Sequence, residues 1–142
     1  MEPSQSTKFV WVYPRLLHRY WKRHQLKNRQ GYLMSYFKDA DARESKELIE
    51  GARTQTFWGD NILLSLVSID ANSEVPNHTH PHEQAGIVIE GELEMGIGGE
   101  VKTLKPGDMY IIPGNIEHYA KCGDIPAKAL DVFSPVREEF KY

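Results

Sequence analysis

From Ala52 to Phe133 the chain alternates short apolar or every-other-residue apolar runs with glycine, proline and asparagine. ARTQTFW leads into Gly59-Asp60-Asn61, and then follow ILLSLVSI, AGIVIE, ELEMGI, Gly98-Gly99, VKTL, Pro106-Gly107, MYII, Pro113-Gly114-Asn115, HYAKC and KALDVF. Runs this short, bounded by turn residues and rich in Val, Ile, Thr and aromatics, read as strands. So many at close spacing predict an all-β antiparallel sandwich or barrel. Upstream, Asp41 and Glu44 stand at capping-box spacing and Gly51 could end a helix, so a short helix is expected between Asp39 and Gly51. Further upstream lies KFVWVYPRLLHRYWKRHQLKNRQG. Pro14 could open a helix there, with Leu16, Leu17, Tyr20 and Trp21 on one side and basic residues around them. The expected organisation is a basic amphipathic extension over residues 1–33, helical and short, and a domain over residues 34–142.

Composition narrows this picture. At 142 residues the chain suffices for one domain, and no stretch nears the roughly 18 consecutive apolar residues of a membrane span. Its single cysteine, Cys122, cannot close an internal disulfide, which excludes a disulfide-stapled fold and points to a reducing, cytoplasmic compartment. The net charge of −3 conceals a division after Gly31: seven basic residues and one acid before it, ten basic and nineteen acidic residues after it. An acidic body does not suit a phosphate backbone, so no nucleic acid is expected there. Only the basic arm could make such a contact. The arm has three readings: a dispensable extension upstream of a start at Met34, which would leave 109 residues; a helix packed on the body or a partner subunit; or a targeting or binding arm. Exposed strands of a small barrel further predict a homodimer.

Candidate chemistry concentrates in HTHPHEQ, residues 78–84. On an extended chain His78 and His80 face one way, close enough to share a cation, and Gln84 has the same parity while Glu83 has the opposite one. Pro81 weakens that argument by inviting a bend. His82 shares the parity too, but three ligands from so short a stretch would crowd, which assigns it to the rim. A fourth ligand must come from elsewhere, and His118 is the remaining histidine of the body, just after the Pro113-Gly114-Asn115 turn. Three imidazoles and one amide oxygen suit one divalent ion, zinc, nickel, manganese or iron(II), with open positions for substrate or water. The alternative is that these histidines are ordinary surface or loop residues.

HTHPHEQAGIVIEGELEMGIGGE followed by GDMYIIPGNIEH resembles the two motifs of the cupin superfamily, whose members are double-stranded β-helix (jelly-roll) barrels holding a metal inside. His78, His80, Gln84 in a usual Glu position and Gly91 match the first motif; Gly107, Pro113 and His118 match the second. Asn72, Asn115 and Cys122 depart from the usual Gly, Gly and Asn. The carboxamide of Gln84 would leave a bound dication its full charge, making it a stronger Lewis acid and favouring proton transfer over oxygen activation.

Near the C-terminus, LDVFSPVREEF places Asp131 and Phe133 on one strand face, and Pro135 could turn Arg137 back over the barrel mouth. A carboxylate, a ring and a guanidinium beside a metal would suit an anionic hydroxylated substrate. Alternatively, Arg137 pairs only with Glu138 or Glu139 and Asp131 sits at a barrel end. HPHEQ, Gly-Glu-Leu, PGNIEH and DVFSPVRE together resemble the pectin-degradation cupins, which take 4,5-unsaturated monouronates to open-chain keto forms. That resemblance begins near residue 52. It implies metal ligation by His78, His80, Gln84 and His118, and substrate contact or catalysis by Asp131, Phe133 and Arg137. A metal-dependent isomerase is thus expected, with a cupin dioxygenase or a non-catalytic ligand sensor as alternatives.

Overall fold

A computed structural model of the chain describes residues 36–142, and the expected helical extension lies outside them. Residues 39–142 form one compact unit built from ten strands. In chain order these are β1 Lys46–Ile49, β2 Ala52–Trp58, β3 Leu63–Ile69, β4 Glu74–His78 and β5 Glu83–Glu90, then β6 Leu93–Ile97, β7 Glu100–Leu104, β8 Met109–Ile112, β9 His118–Lys121 and β10 Ala127–Ser134. They make a six-stranded sheet, ordered β1-β2-β3-β10-β5-β8, and a four-stranded sheet, ordered β4-β9-β6-β7. Every pairing is antiparallel.

Strand alternation does the sorting. On β3, Leu63, Ser65, Val67 and Ile69 are buried; on β10, Ala127, Ala129, Asp131 and Phe133 are. Val67, Ile69, Ala127 and Ala129 pack in one cluster with Val88, Leu93, Met95 and Ile112, and Leu63 and Phe133 pack with Val136 in a second. Each aliphatic side chain so buried contributes roughly 1.5–3 kcal/mol. Two inward polar residues satisfy each other, the Thr54 and Ser65 hydroxyls lying 2.6 Å apart.

One expectation fails. The segment expected to be helical between Asp39 and Gly51 is a turn followed by β1, paired with β2. Asp39 Oδ1 accepts from the Asp41 amide in a local turn, and the Gln55 side-chain amide donates to the carbonyls of Ala40 and Arg43, tying the segment to β2. Gly51 has φ +77° and closes the β1–β2 turn instead of a helix, with Ser73 where a Cβ would stand. Tertiary hydrogen bonds override a weak local capping signal.

The other end is a 3-10 turn, Glu138–Phe140, that lies across one end of the interior. The Thr56 hydroxyl donates to the Phe140 carbonyl at 2.6 Å, and the Tyr142 hydroxyl donates to the Thr54 carbonyl at 2.7 Å. The Arg43 guanidinium donates to the Tyr142 carbonyl and stands over the Tyr142 ring. Among the described residues no helix is long and apolar enough to cross a membrane.

Candidate metal centre and substrate cavity

His78 closes β4 and His118 opens β9, and the two are cross-strand partners with ring centroids 4.2 Å apart. His80 lies in the four-residue connection between β4 and β5, where the chain bends at Pro81 and His82, and its ring is 4.7 Å from that of His118. The residues that the parity argument groups thus lie on β4, on a bend and on β5, and no single strand carries them. The connection is held from the side by the Pro113-Gly114-Asn115 turn. The Asn115 amide donates to the His80 carbonyl, and Gly114 lies against the Pro81 carbonyl, where a Cβ would come within 2.3 Å. Asn72 and Asn115, the departures from glycine, both have positive φ, 58° and 66°. Asparagine is the side-chain-bearing residue that best tolerates that conformation, so the departures keep the backbone the motif needs.

All three imidazoles are oriented alike. Nδ1 of His78 lies 2.8 Å from the Pro76 carbonyl, Nδ1 of His80 3.0 Å from that of His82, and Nδ1 of His118 2.8 Å from that of Ile116. A carbonyl can only accept, so each Nδ1 carries the proton and each Nε2 keeps a lone pair. The ligand-capable atoms of the three histidines lie within 4.8 Å of one another. His82, expected at the rim, contributes its carbonyl to holding His80.

Gln84 joins them. Its Oε1 is 3.1 Å from His80 Nε2, and it acts on the Asp131 carboxyl in the direction that favours the charged form. With the His80 proton on Nδ1, this contact brings two lone pairs together, while Nε2 of His118 is buried with no hydrogen-bond partner. Converging buried lone pairs without a proton among them are costly unless a cation is shared. The donor set fits a divalent ion, and His78, His80 and His118 could hold one, with Gln84 Oε1 beside them. Burial also pushes the His118 imidazole down to about 4, with His78, His80 and Arg137 acting in the same direction against the Ile116 carbonyl. Burial and Arg137 likewise hold His80 below its ordinary value. Both rings are thus neutral, as ligands must be.

Asp131 lies inside the barrel, not at its end, paired to Ser65 on one side and Gly86 on the other. It accepts from the Tyr110 hydroxyl at 2.6 Å. Burial pushes its carboxyl up to about 6, against the opposing pull of Tyr110, Gln84 and Arg137. Burial and the neighbouring carboxylate drive the Tyr110 hydroxyl far upward, so Tyr110 is a fixed donor. Sequence reasoning missed Tyr110. Its inward parity in MYII was visible, but not its partner. Gly86 makes the contact feasible, since a Cβ there would come within 2.5 Å of both Tyr110 and Asp131.

Phe133 is buried with its ring edge-on to His80 at 5.5 Å. Past the Ser134–Pro135 cis peptide, the Arg137 guanidinium stands 5.1 Å over Phe133 and 4.0 Å over Phe140. Its Nε donates to Glu139 at 2.8 Å, yet the Arg137 side chain is only 13% exposed. The pairing with Glu139 and the position over the cavity hold together, so the two sequence readings of Arg137 are not exclusive. A cavity of about 390 Å³ is lined by His78, Gln84, His118, Asp131, Phe133 and Arg137, among others.

A metal-competent histidine cluster inside a two-sheet antiparallel barrel defines a cupin. The cupin domain family model matches residues 65–133, and the chain belongs to the cupin family. Within it, the chain is similar to the pectin degradation protein KdgF of Dickeya dadantii, 31% identical over 107 residues that cover 74% of this chain and 96% of that one. Among solved structures, an RmlC-like cupin from Shewanella frigidimarina superposes with a TM-score of 0.71 at 28% identity, over 76% of this chain and 97% of that one. KdgF from Halomonas sp. has the same fold, with a TM-score of 0.71 at 24% identity over 76% of this chain and all of that one.

Proposed function

We propose that this cupin is a metal-dependent isomerase that opens 4,5-unsaturated monouronates, or a closely similar small sugar acid, to their open-chain keto forms. The observation that carries this reading is the single cavity shared by the histidine cluster with Gln84, the raised carboxyl of Asp131 and the guanidinium of Arg137. The similarity to KdgF supports the substrate class.

The reaction is an isomerisation. The proton of the anomeric hydroxyl is removed, the bond between the anomeric carbon and the ring oxygen breaks, and the resulting enol takes a proton on carbon. Asp131 is suited to accept the first proton and return it to carbon, because burial brings its carboxyl close to neutral pH. Tyr110 holds that carboxyl in place. Arg137 offers its terminal nitrogens to the substrate carboxylate, stacked between Phe133 and Phe140, and Phe133 walls the site from water. A divalent ion on His78, His80, Gln84 and His118 would supply Lewis-acid stabilisation of developing negative charge on oxygen.

The test is loss of the unsaturated chromophore's ultraviolet absorbance with purified protein. No acceleration over spontaneous opening for any unsaturated uronate would overturn the proposal. Arg137→Ala is expected to raise KM about tenfold or more with a smaller change in kcat, because carboxylate anchoring acts in ground and transition states alike. A fall in kcat alone would remove Arg137 from anchoring.

We further propose that residues 34–142 are the working domain, since β1 to β10 and the cavity all lie within them. Deleting residues 1–33 should leave the melting temperature within about 10 °C and the metal content unchanged. A larger drop would make the arm part of the fold. The homodimer reading draws support from Ile89, Met109 and Ile111, which stand exposed on adjoining strands β5 and β8.

A further inference from the structure

Strand register sorts the inward side chains into successive layers along the cavity. His78 pairs with His118, and Gln84 with Phe133, at one level. Asp131 lies between Ser65 and Gly86 at the next, with Tyr110 opposite Gly86. Two residues further along β10, Ala129 faces Val67, and in the other sheet Ala120 lies between Met95 and Val75. Another two residues on, Ala127 faces Ile69. From Phe133 to Ala127 the strand rises about 20 Å, so the polar groups occupy one half of this length and aliphatic groups the other.

The aliphatic half is open because its inward positions are small. Ala120, Ala127 and Ala129 stand where barrel strands direct side chains inward, and all three line the cavity together with Val67, Val75 and Met95. The polar atoms nearest this compartment are already engaged: Ser65 with Thr54, Tyr110 with Asp131, and Tyr119 with Glu94. A methylene placed there would gain contacts, whereas a hydroxyl would give up water for at most a shared partner.

We propose that the site takes a second class of ligand, a carboxylic acid with an unbranched or single-ring apolar tail. Its carboxylate lies at the end held by Arg137, and its tail runs past the Asp131 level toward Ala129 and Ala120. The head-group placement rests on the function proposed above; the tail compartment does not. The cavity's 390 Å³ accommodates about a dozen non-hydrogen atoms, the size of octanoate or 4-phenylbutanoate.

Calorimetric titration of the full-length protein, as purified, with butanoate, hexanoate and octanoate tests this directly. Affinity is expected to rise about three- to fourfold per methylene. Ala129→Leu, which fills the compartment, should flatten that rise while leaving butanoate binding unchanged. Ala129→Val serves as a milder filling variant, expected to flatten only the step from hexanoate to octanoate, and melting curves confirm that each variant folds. A flat series in the unmodified protein, no binding of any acid, or an undiminished rise in a folded Ala129→Leu protein would each overturn the proposal. Octanol separates the two layers of the argument. If octanol binds as tightly as octanoate and Arg137→Ala changes neither, the carboxylate anchoring fails, and with it this ligand class, while the chain-length series still reports on the compartment.

Discussion

Replacing His80 and His118 together by alanine is expected to reduce bound metal from about one equivalent per chain to near zero and to abolish turnover. Each of the two presents an Nε2 lone pair to the cluster, fixed by its Nδ1 hydrogen bond to a backbone carbonyl. Removing both leaves His78 and Gln84, too few donors for a first-row ion in competition with water. Fold stability of the metal-free protein should change far less than metal content. His118→Ala removes a buried nitrogen that has no hydrogen-bond partner, which offsets part of the packing lost with the ring. Elemental analysis of protein purified without a histidine tag, alongside a melting curve, measures both quantities. Unchanged metal content in the double variant would dissolve the assignment.

Asp131→Asn is expected to lower kcat by about 10²-fold or more with metal content retained, the usual scale for loss of a general acid-base group. The same substitution has a thermodynamic signature that a merely structural residue would not give. Burial raises the Asp131 carboxyl from 3.8 to about 6, so between those pH values the folded chain binds more protons than the unfolded one. Stability of the metal-free protein therefore falls as pH rises through that window and reaches a plateau above it, the difference amounting to roughly 3 kcal/mol. The asparagine variant should lack this contribution. Melting temperatures of both proteins between pH 4 and 7 would reveal it. Parallel pH profiles would mean that the carboxyl titrates normally, and unchanged turnover would take Asp131 out of the mechanism.

These two expectations draw on different kinds of information. The grouping of His78, His80, Gln84 and His118 was legible along the chain because the two motifs carry donor types suited to metal ligation at recognisable spacing. The reason they converge was less legible. His80 faces the site from a bend, and the bend is held by the Asn115 amide and by the missing Cβ of Gly114, contacts between segments more than thirty residues apart. Asp131 and Phe133 were correctly placed on one face because strand parity is a local property of β10. Tyr110 was not recognised, since its pairing with Asp131 exists only once β5 brings Gly86 between their strands.

The sequence by itself determined the fold class, the strands with inward alternation and the metal-competent donor set, because side-chain period and donor chemistry are carried by neighbouring residues. Tertiary structure alone decided that the segment after Asp39 becomes β1 and not a helix, because Gln55 and the β2 backbone supply hydrogen bonds that no local capping box can match. It alone decided that Arg137 sits between two rings over the cavity while still paired to Glu139. It alone also decided that Ala120, Ala127 and Ala129 leave an apolar compartment. Whether a small residue opens space depends on what faces it across the barrel, which no linear pattern records.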